Sequence, residues 1–134
     1  DYVAFSILNI PIAMGCETGN PLQKYLSRFQ FMNMLSKRFD LDKIHRTKKF
    51  HFLGMTEGPN EILLMKDYLY LINTWDSSAA AWAGLNGIRF DTSPTGLVDG
   101  KFEKEVDFNY ATSDTDKIEM AKYNMKYIDD LLGW

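Results

Sequence analysis

INTWDSSAAAWAGLNG, residues Ile72–Gly87, is the stretch of sequence that decides how the chain folds. It overlaps an apolar run, Tyr68–Trp75, which leads into one carboxylate, Asp76, and the five residues that follow, Ser77–Ala81, are all small. A strand with an acid at its carboxyl end and only small side chains beyond it leaves room for a ligand beside the acid. In parallel α/β folds, ligands usually bind and react at that end of the strands.

Composition sets the limits of the interpretation. The 134 residues suffice for one domain with a sizeable core, and an apolar content of 46% argues against disorder. No apolar run approaches the roughly 18 residues that cross a bilayer, so we expect no membrane association. The net charge of −3 gives the chain as a whole little attraction for nucleic acid. The single cysteine, Cys16, excludes an internal disulfide framework and a cysteine zinc cluster.

Basic residues are concentrated in one segment, whereas the acids gather after Asp91. Seven fall within 13 residues: Lys37, Arg38, Lys43, His45, Arg46, Lys48 and Lys49. Two interpretations stay open, a solvated helix end with its loop, or a patch that contacts phosphate. In the second, Lys43, Arg46, Lys48 and Lys49 bind a nucleic-acid backbone.

The pattern up to residue 75 predicts strand, helix, strand, helix and strand, which implies right-handed crossovers and a parallel sheet. The predicted strands are Tyr2–Met14, interrupted at Pro11, then Phe50–Met55 and Leu69–Trp75. The predicted helices run from Pro21 to about Arg38, with Asn20 as N-cap, and from Asn60 to about Tyr68. Phe39–Lys49 is predicted to be a polar connector.

Beyond the third strand the pattern changes. It predicts a short helix over Ala79–Leu85, a small strand over Asn86–Phe90, an irregular stretch over Asp91–Gly100, an edge strand or arm over Lys101–Asn109, and a helix over Asp116–Leu132 capped by Asp114 or Thr115. We therefore expect an α/β fold, with a barrel-like βαβαβ segment over residues 1–90 and a C-terminal extension over 91–134. Because a (β/α)8 barrel needs about 250 residues, the chain is either its last three units or a small open sheet. The start inside a strand, without an initiator Met or a basic leader, leads us to expect a fragment of a longer protein.

Asp76 is the leading candidate for chemistry. An aspartate can attack an acetal-like carbon and form a covalent glycosyl intermediate, but it can also cap the helix that begins near Ser77. His51 lies within the second predicted strand, where a lone histidine is commonly structural. Neither His51 nor His45 has a Cys or Asp at metal-ligand spacing, so we expect no metal site.

Three motifs in order resemble the end of the tRNA-guanine transglycosylase barrel. Asp76 is followed ten positions later by Asn86-Gly87 and then by Ile88-Arg89-Phe90, as in that family. Upstream, Phe52-Leu53-Gly54-Met55 with Pro59-Asn60-Glu61-Ile62 is similar to the family's preceding strand and helix start, and Ile12-Ala13-Met14-Gly15 to the strand before that. The resemblance covers about residues 3–90.

The resemblance implies strands six, seven and eight of a (β/α)8 barrel in a base-exchanging enzyme. Asp76 matches the family's nucleophile, which expels guanine and holds the sugar covalently until a 7-deazaguanine base, of the queuosine type, replaces it. His51 and Leu53 match positions that border the base, and Ile10–Met14 matches the strand whose backbone reads the base edge. The substrate-binding residues implied are His51, Leu53, Gly54, Met14, Gly15 and Ser77.

The sequence departs from the family in several places. Where bacterial members carry Pro-Thr-Arg after the nucleophile, this chain has Ala80, Ala81 and Trp82. Pro11 has no amide to donate. No cysteine follows residue 90, so the family's zinc site is absent and we expect no cofactor. The family's second catalytic aspartate belongs to an earlier strand.

These departures resemble the divergent branch, found in phages and bacteria, that modifies DNA. We therefore expect a transglycosylase segment that favours DNA over tRNA, acts in the cytoplasm of a bacterium or phage-infected cell, and needs the rest of the barrel, or another chain, for activity. Two alternatives stay open. One is a non-catalytic binding or assembly domain in which Asp76 is a helix cap, and the other is a different barrel enzyme with a phosphate or sugar ligand.

Overall fold

The computed structural model describes residues 1–55, 59–92 and 111–133. The chain divides into two compact units, which we describe separately. The N-terminal unit comprises residues 1–56 and 61–77, and the C-terminal unit comprises residues 57–60 and 78–134. The main boundary between the units lies between Ser77 and Ser78, whereas the sequence predicted a boundary between residues 90 and 91.

A three-stranded parallel sheet forms the centre of the N-terminal unit, which confirms the predicted α/β class. Its strands are β1 (Tyr2–Ser6), β2 (Lys49–Leu53) and β3 (Ile72–Trp75), in the spatial order β1-β2-β3. Both strand pairs are parallel, as predicted. Each strand is shorter than the apolar run from which it was predicted, because part of each run lies in a neighbouring helix or turn.

The predicted strand over Tyr2–Met14 is wrong beyond Ser6. The chain turns there, where the Ser6 hydroxyl accepts hydrogen bonds from the amides of Leu8 and Asn9, and helix α1 follows over Asn9–Ala13. Pro11 lies in the first turn of α1, where its missing N–H has no intrahelical partner to lose. A short apolar run does not by itself distinguish a buried strand from a buried helix, and that ambiguity caused the error.

The helices of this unit follow the prediction in part. Helix α2 spans Pro21–Ser36, and the side chain of its predicted N-cap, Asn20, accepts from the Gln23 amide at 3.1 Å. The supposed polar connector contains a further helix, α3 (Leu41–His45). Helix α4 ends early, at Asn60–Leu64, and a 3₁₀ helix over Lys66–Leu71 replaces the start of the predicted third strand.

The core of the N-terminal unit lies on one face of the sheet. Its fully or nearly buried side chains are Phe5, Ile10, Met32, Leu41, Phe50, Phe52, Met65, Leu71 and Ile72. Burial along α2 does not follow polarity, because Leu22 is 50% exposed whereas Ser27 and Arg28 are completely buried. Helix α2 therefore inserts a charged side chain into the core.

Arg28 is completely satisfied inside this core. Its Nε and one terminal nitrogen form a two-pronged pair with the Glu61 carboxylate at 2.5 and 2.6 Å, and both side chains have no exposed surface. The remaining N–H groups donate to the carbonyls of Phe5, Leu53 and Gly54, at 3.0, 3.0 and 2.7 Å. The guanidinium also lies 5.1 Å from the centre of the Phe52 ring. All five donors of the planar fork are used.

The described part of the C-terminal unit contains two α-helices and a short 3₁₀ helix. Helix α5 spans Ala79–Leu85, as predicted, and helix α6 spans Thr115–Leu132, with Asp114 as its N-cap. The small strand predicted over Asn86–Phe90 is wrong, because this segment is a turn that leads into a 3₁₀ helix over Phe90–Thr92. The predicted arm over Lys101–Asn109, and most of the irregular stretch before it, lie outside the described residues.

Close contact between α5 and α6 holds the described part of the C-terminal unit together. A Cβ on Gly84 would overlap the backbone of Ala121, so only glycine allows this approach. Next to it, Asn124 is completely buried and accepts from the Phe90 amide while donating to the Ala80 and Ile88 carbonyls. No helix in the described ranges is long and apolar enough to cross a lipid bilayer.

We expect Arg28→Met to lower the free energy of unfolding of the N-terminal unit by about 3–5 kcal/mol, because the buried Glu61 carboxylate then loses both of its hydrogen bonds to the Arg28 guanidinium. Urea denaturation followed by circular dichroism measures this loss. Arg38→Met, at an exposed position near the end of the same helix, is the matched control and should change stability by less than about 0.5 kcal/mol.

The double variant Arg28→Met with Glu61→Met separates buried charge from lost packing. It should recover part of the stability that Arg28→Met loses, because it also removes the buried carboxylate charge that Arg28 compensates. Equal stability of wild type and Arg28→Met would contradict a structural role for the pair.

Candidate active site

A β-bulge at Asn73 decides which residues of β3 share a face with His51. Phe50 pairs with Ile72, whereas the next residue of β2, His51, pairs with Thr74, so Asn73 is the extra residue. Its side-chain oxygen accepts from the Phe50 amide at 2.8 Å and contacts His45 Nε2 at 3.0 Å. Because side chains alternate along a strand, the bulge brings Thr74 and, two residues later, Asp76 to the face of His51.

Asp76 lies just past the carboxyl end of β3, and its backbone amide still donates to the Phe52 carbonyl at 3.2 Å. Its Oδ1 accepts from the Gly54 amide at 3.0 Å and lies 3.2 Å from His51 Nε2. The Asp76 side chain is 61% exposed and that of His51 is 25% exposed. Within the part of the chain that the structure describes, no donor contacts Oδ2. The carboxylate is thus anchored through one oxygen and open at the other.

The backbone N–H and C=O groups of Gly54 link this exposed carboxylate to the buried ion pair. Its carbonyl accepts from Arg28 and from Trp75 Nε1, each at 2.7 Å, while its amide donates to Asp76. Gly54 has a φ of +69°, and a Cβ there would lie 2.8 Å from Ile7 Cγ2. This position therefore requires glycine both for its backbone conformation and for its close contact.

The helix-cap interpretation of Asp76 is wrong. Helix α5 begins at Ala79 and its N-cap is Ser78, with no side-chain cap hydrogen bond. The side chain of Asp76 instead contacts Gly54 and His51, both on β2 or just after it. Its role in the N-terminal unit is therefore to join the carboxyl ends of two neighbouring strands.

The structure brings together some of the predicted substrate-binding residues and separates others. Leu53, 40% exposed, and Gly54 end β2 beside Asp76. Ser77 follows Asp76 and is exposed. Met14 and Gly15 follow helix α1 and contribute to none of the contacts of Asp76. The expectation that a strand over Ile10–Met14 presents its backbone to a base is wrong, because that segment is helical.

The predicted backbone-binding residues lie at the other end of the sheet. Lys43 is on α3, Arg46 follows it, and Lys48 and Lys49 enter β2 at its amino end. A five-residue strand spans about 13 Å, so the cluster is about one strand length away from the carboxyl end of β2 and from Asp76. A bound strand of nucleic acid would have to run along the sheet to reach both.

Two of these lysines have partners within the N-terminal unit. Lys48 Nζ lies 2.5 Å from Asp1 Oδ2, and Lys49 Nζ lies 5.9 Å from the centre of the Tyr2 ring. Lys43 and Arg46 are exposed. Acidic residues lie in the same segment. Desolvation of the Tyr70 hydroxyl, together with its hydrogen bond with Asp42, raises the pKa of that hydroxyl. This surface therefore carries both signs of charge.

Two residues that support the candidate site were not predicted from the sequence. Thr74 was predicted only as part of an apolar strand. Its 2.7 Å contact with His51 Nδ1 depends on the bulge at Asn73, which the sequence pattern did not predict. Arg28 was not singled out, because all its acceptors lie on other segments of the chain. Among residues 1–55, 59–92 and 111–133, no three His, Cys, Asp or Glu side chains converge in a way that could hold a metal ion.

Comparison of the chain with protein-family models, with curated proteins and with solved structures finds no match.

We expect Gly54→Ala to destabilise the protein more than Gly19→Ala. Both glycines have positive φ, +69° and +81°, so both variants carry the cost of a left-handed alanine, about 1–2 kcal/mol. Only the new methyl at residue 54 meets another atom, Ile7 Cγ2, while nothing lies within 4 Å of the site at residue 19. Thermal denaturation of both variants measures the difference in stability. Equal losses of stability would mean that the Ile7 side chain moves away from the new methyl group without a measurable cost.

Proposed function

We propose that the protein is part of a base-exchanging transglycosylase that acts on nucleic acid, with Asp76 as its nucleophile. The observation that carries the proposal is the Asp76 carboxylate at the carboxyl end of a parallel sheet. One oxygen is held by Gly54 and His51, and the side chain is 61% exposed. A carboxylate that attacks carbon needs this arrangement, because an anchored carboxylate can present its second oxygen in a fixed direction.

The exposed face of the sheet supports a barrel as the wider architecture. Parallel sheets are ordinarily covered on both faces. Here the face that carries His51 also carries Tyr2, 58% exposed, and Leu53, 40% exposed, whereas Phe50 and Phe52 on the opposite face are buried. In a (β/α)8 barrel, helices cover the outer face and the other strands of the barrel enclose the inner one. Three consecutive barrel units would present this one-sided coverage.

The proposed reaction is a double displacement at the anomeric carbon. A lone pair of Asp76 Oδ2 attacks C1′ of a guanosine residue, the C1′–N9 bond breaks, and guanine leaves with the electron pair and takes a proton from an acid on another strand. The ring nitrogen of an incoming 7-deazaguanine base gives its proton to the conjugate base of that acid and attacks C1′. The C1′–Oδ2 ester bond breaks in the same step, and its electron pair returns to the Asp76 carboxylate. We propose that these steps require no cofactor.

DNA is the proposed substrate, with tRNA as the second choice, because the small residues Ala80 and Ala81 and the bulky Trp82 replace the segment found in the bacterial tRNA enzymes. The exposed cations Lys43, Arg46 and Lys49 would bind phosphates about one strand length from the reacting sugar. The proposed partners are thus a nucleic acid, a 7-deazaguanine base and the remaining strands of the barrel.

We expect Asp76→Asn to reduce incorporation of a labelled 7-deazaguanine base by roughly a thousandfold or more, because an amide oxygen cannot form the ester intermediate. The assay uses the complete protein with all its barrel strands, and guanine-containing DNA and tRNA as parallel substrates. Without the incoming base, wild type should give a covalent protein–nucleic acid adduct on a denaturing gel, and Asp76→Asn should give none.

Asp67→Asn is the matched control, since it removes the same charge at another exposed position and should leave incorporation unchanged. Incorporation by Asp76→Asn at the wild-type rate would eliminate Asp76 as the nucleophile. Failure of wild type to modify either DNA or tRNA would favour the alternative, a non-catalytic binding or assembly domain.

The basic cluster is tested by the salt dependence of binding. In the triple variant Lys43→Gln, Arg46→Gln and Lys49→Gln, we expect the slope of log K against log salt for duplex DNA to become shallower by about 2 to 3, because each phosphate contact contributes about 0.9. Fluorescence anisotropy measures the slope. The control triple variant changes Lys117, Lys122 and Lys126 of α6 to Gln. If both triple variants changed the slope equally, DNA binding would depend only on the net charge of the protein.

A further inference from the structure

His51 has a side-chain partner on each ring nitrogen. Nδ1 lies 2.7 Å from Thr74 Oγ1, and Nε2 lies 3.2 Å from Asp76 Oδ1. Thr74 is directly opposite His51 in the β2–β3 register, and Asp76 is two residues further along the same face. Three side chains on two adjacent strands thus form one hydrogen-bonded row, from hydroxyl to imidazole to carboxylate.

The chemistry of the partners fixes where the protons lie. An ionised carboxylate only accepts hydrogen bonds, so the nitrogen that faces Asp76, Nε2, carries a proton. In the neutral imidazole Nδ1 is then unprotonated, and it accepts from the only group at hydrogen-bonding distance in this row that can donate, the Thr74 hydroxyl. A hydroxyl can serve as donor or acceptor, but in this row it is the donor.

We infer that Thr74 is a positioning residue for Asp76 and acts through the His51 ring. By donating to Nδ1, Thr74 selects the tautomer that directs N–H to Oδ1, as the second partner of a histidine ring commonly does. The Gly54 amide donates to the same oxygen at 3.0 Å, so two donors, one on β2 and one directly after it, hold Oδ1 in place. Oδ2 remains directed away from these donors.

The catalytic consequence rests on the proposed function, in which Oδ2 attacks the sugar. If Thr74 is lost, His51 can rotate or change tautomer, and the carboxylate loses one of its two fixed contacts. Binding of the nucleic acid does not depend on that contact, but the direction of attack does. The role of Thr74 should therefore show in kcat rather than in KM.

The test uses Thr74→Val, which removes the hydroxyl but keeps the shape at an exposed position, and Thr74→Ser, which restores the hydroxyl. With ¹⁵N-labelled histidine in mildly alkaline buffer, NMR resolves the ring nitrogens of the two histidines, and His45→Gln assigns them. Wild type should show His51 protonated at Nε2 and hydrogen-bonded at Nδ1. Thr74→Val should shift the Nδ1 signal, Thr74→Ser should restore it, and His45, which contacts Asn73, should not move.

In the base-exchange assay with the complete protein, Thr74→Val should lower kcat about tenfold to a hundredfold with little change in KM, and Thr74→Ser should recover most of it. A His51 ring protonated at Nδ1 in wild type, or unchanged His51 signals in Thr74→Val, would overturn the inference. So would unchanged kcat in a variant whose His51 signals have shifted. If the NMR results are as expected but wild type exchanges no base, the proposed function fails and the positioning of Asp76 by Thr74 stands.

Discussion

The ion pair between Arg28 and Glu61 is the interaction on which the carboxyl end of the sheet depends. Both side chains are completely buried, and the guanidinium also binds three backbone carbonyls at the ends of β1 and β2. A lysine could not replace it, because an ammonium group has three donors and no planar fork. Burying two charges is costly unless every lone pair and proton finds a partner. Here the pair also fixes the Gly54 peptide, which in turn holds Asp76.

The candidate site thus has a rigid, buried support and an accessible surface. Behind the sheet, the rings of Phe52 and Trp75 enclose the guanidinium, with centres 5.1 and 5.3 Å from it. On the other face, His51 and Asp76 are partly exposed. This arrangement suits the role proposed for Asp76, because a carboxylate whose contacts are fixed from behind can be presented to a ligand without being released from the fold.

The sequence predicted those features that depend on local chemistry. Cap residues and helical periodicity located α2 and α6, and the order of apolar runs predicted a parallel sheet with Asp76 at a strand end. It could not reveal that Arg28 is buried, since its acceptors lie on three other segments of the chain. Nor could it predict the contact between Thr74 and His51, because strand register depends on pairing across the sheet. The apolar run after Ser6 was predicted as a strand although it forms a helix, because apolar composition alone does not distinguish a short buried strand from a short buried helix.

The bulge at Asn73 has a consequence for how the length of β3 can vary. Asn73 is the residue without a partner of its own in the β2–β3 register. Its loss would restore regular pairing and leave the residues beyond it on their present faces, with Thr74 and Asp76 beside His51 and Trp75 on the core side. Loss of Trp75 would instead move Asp76 to the core side and away from His51. The tolerance of this strand for a deletion therefore depends on which residue is lost.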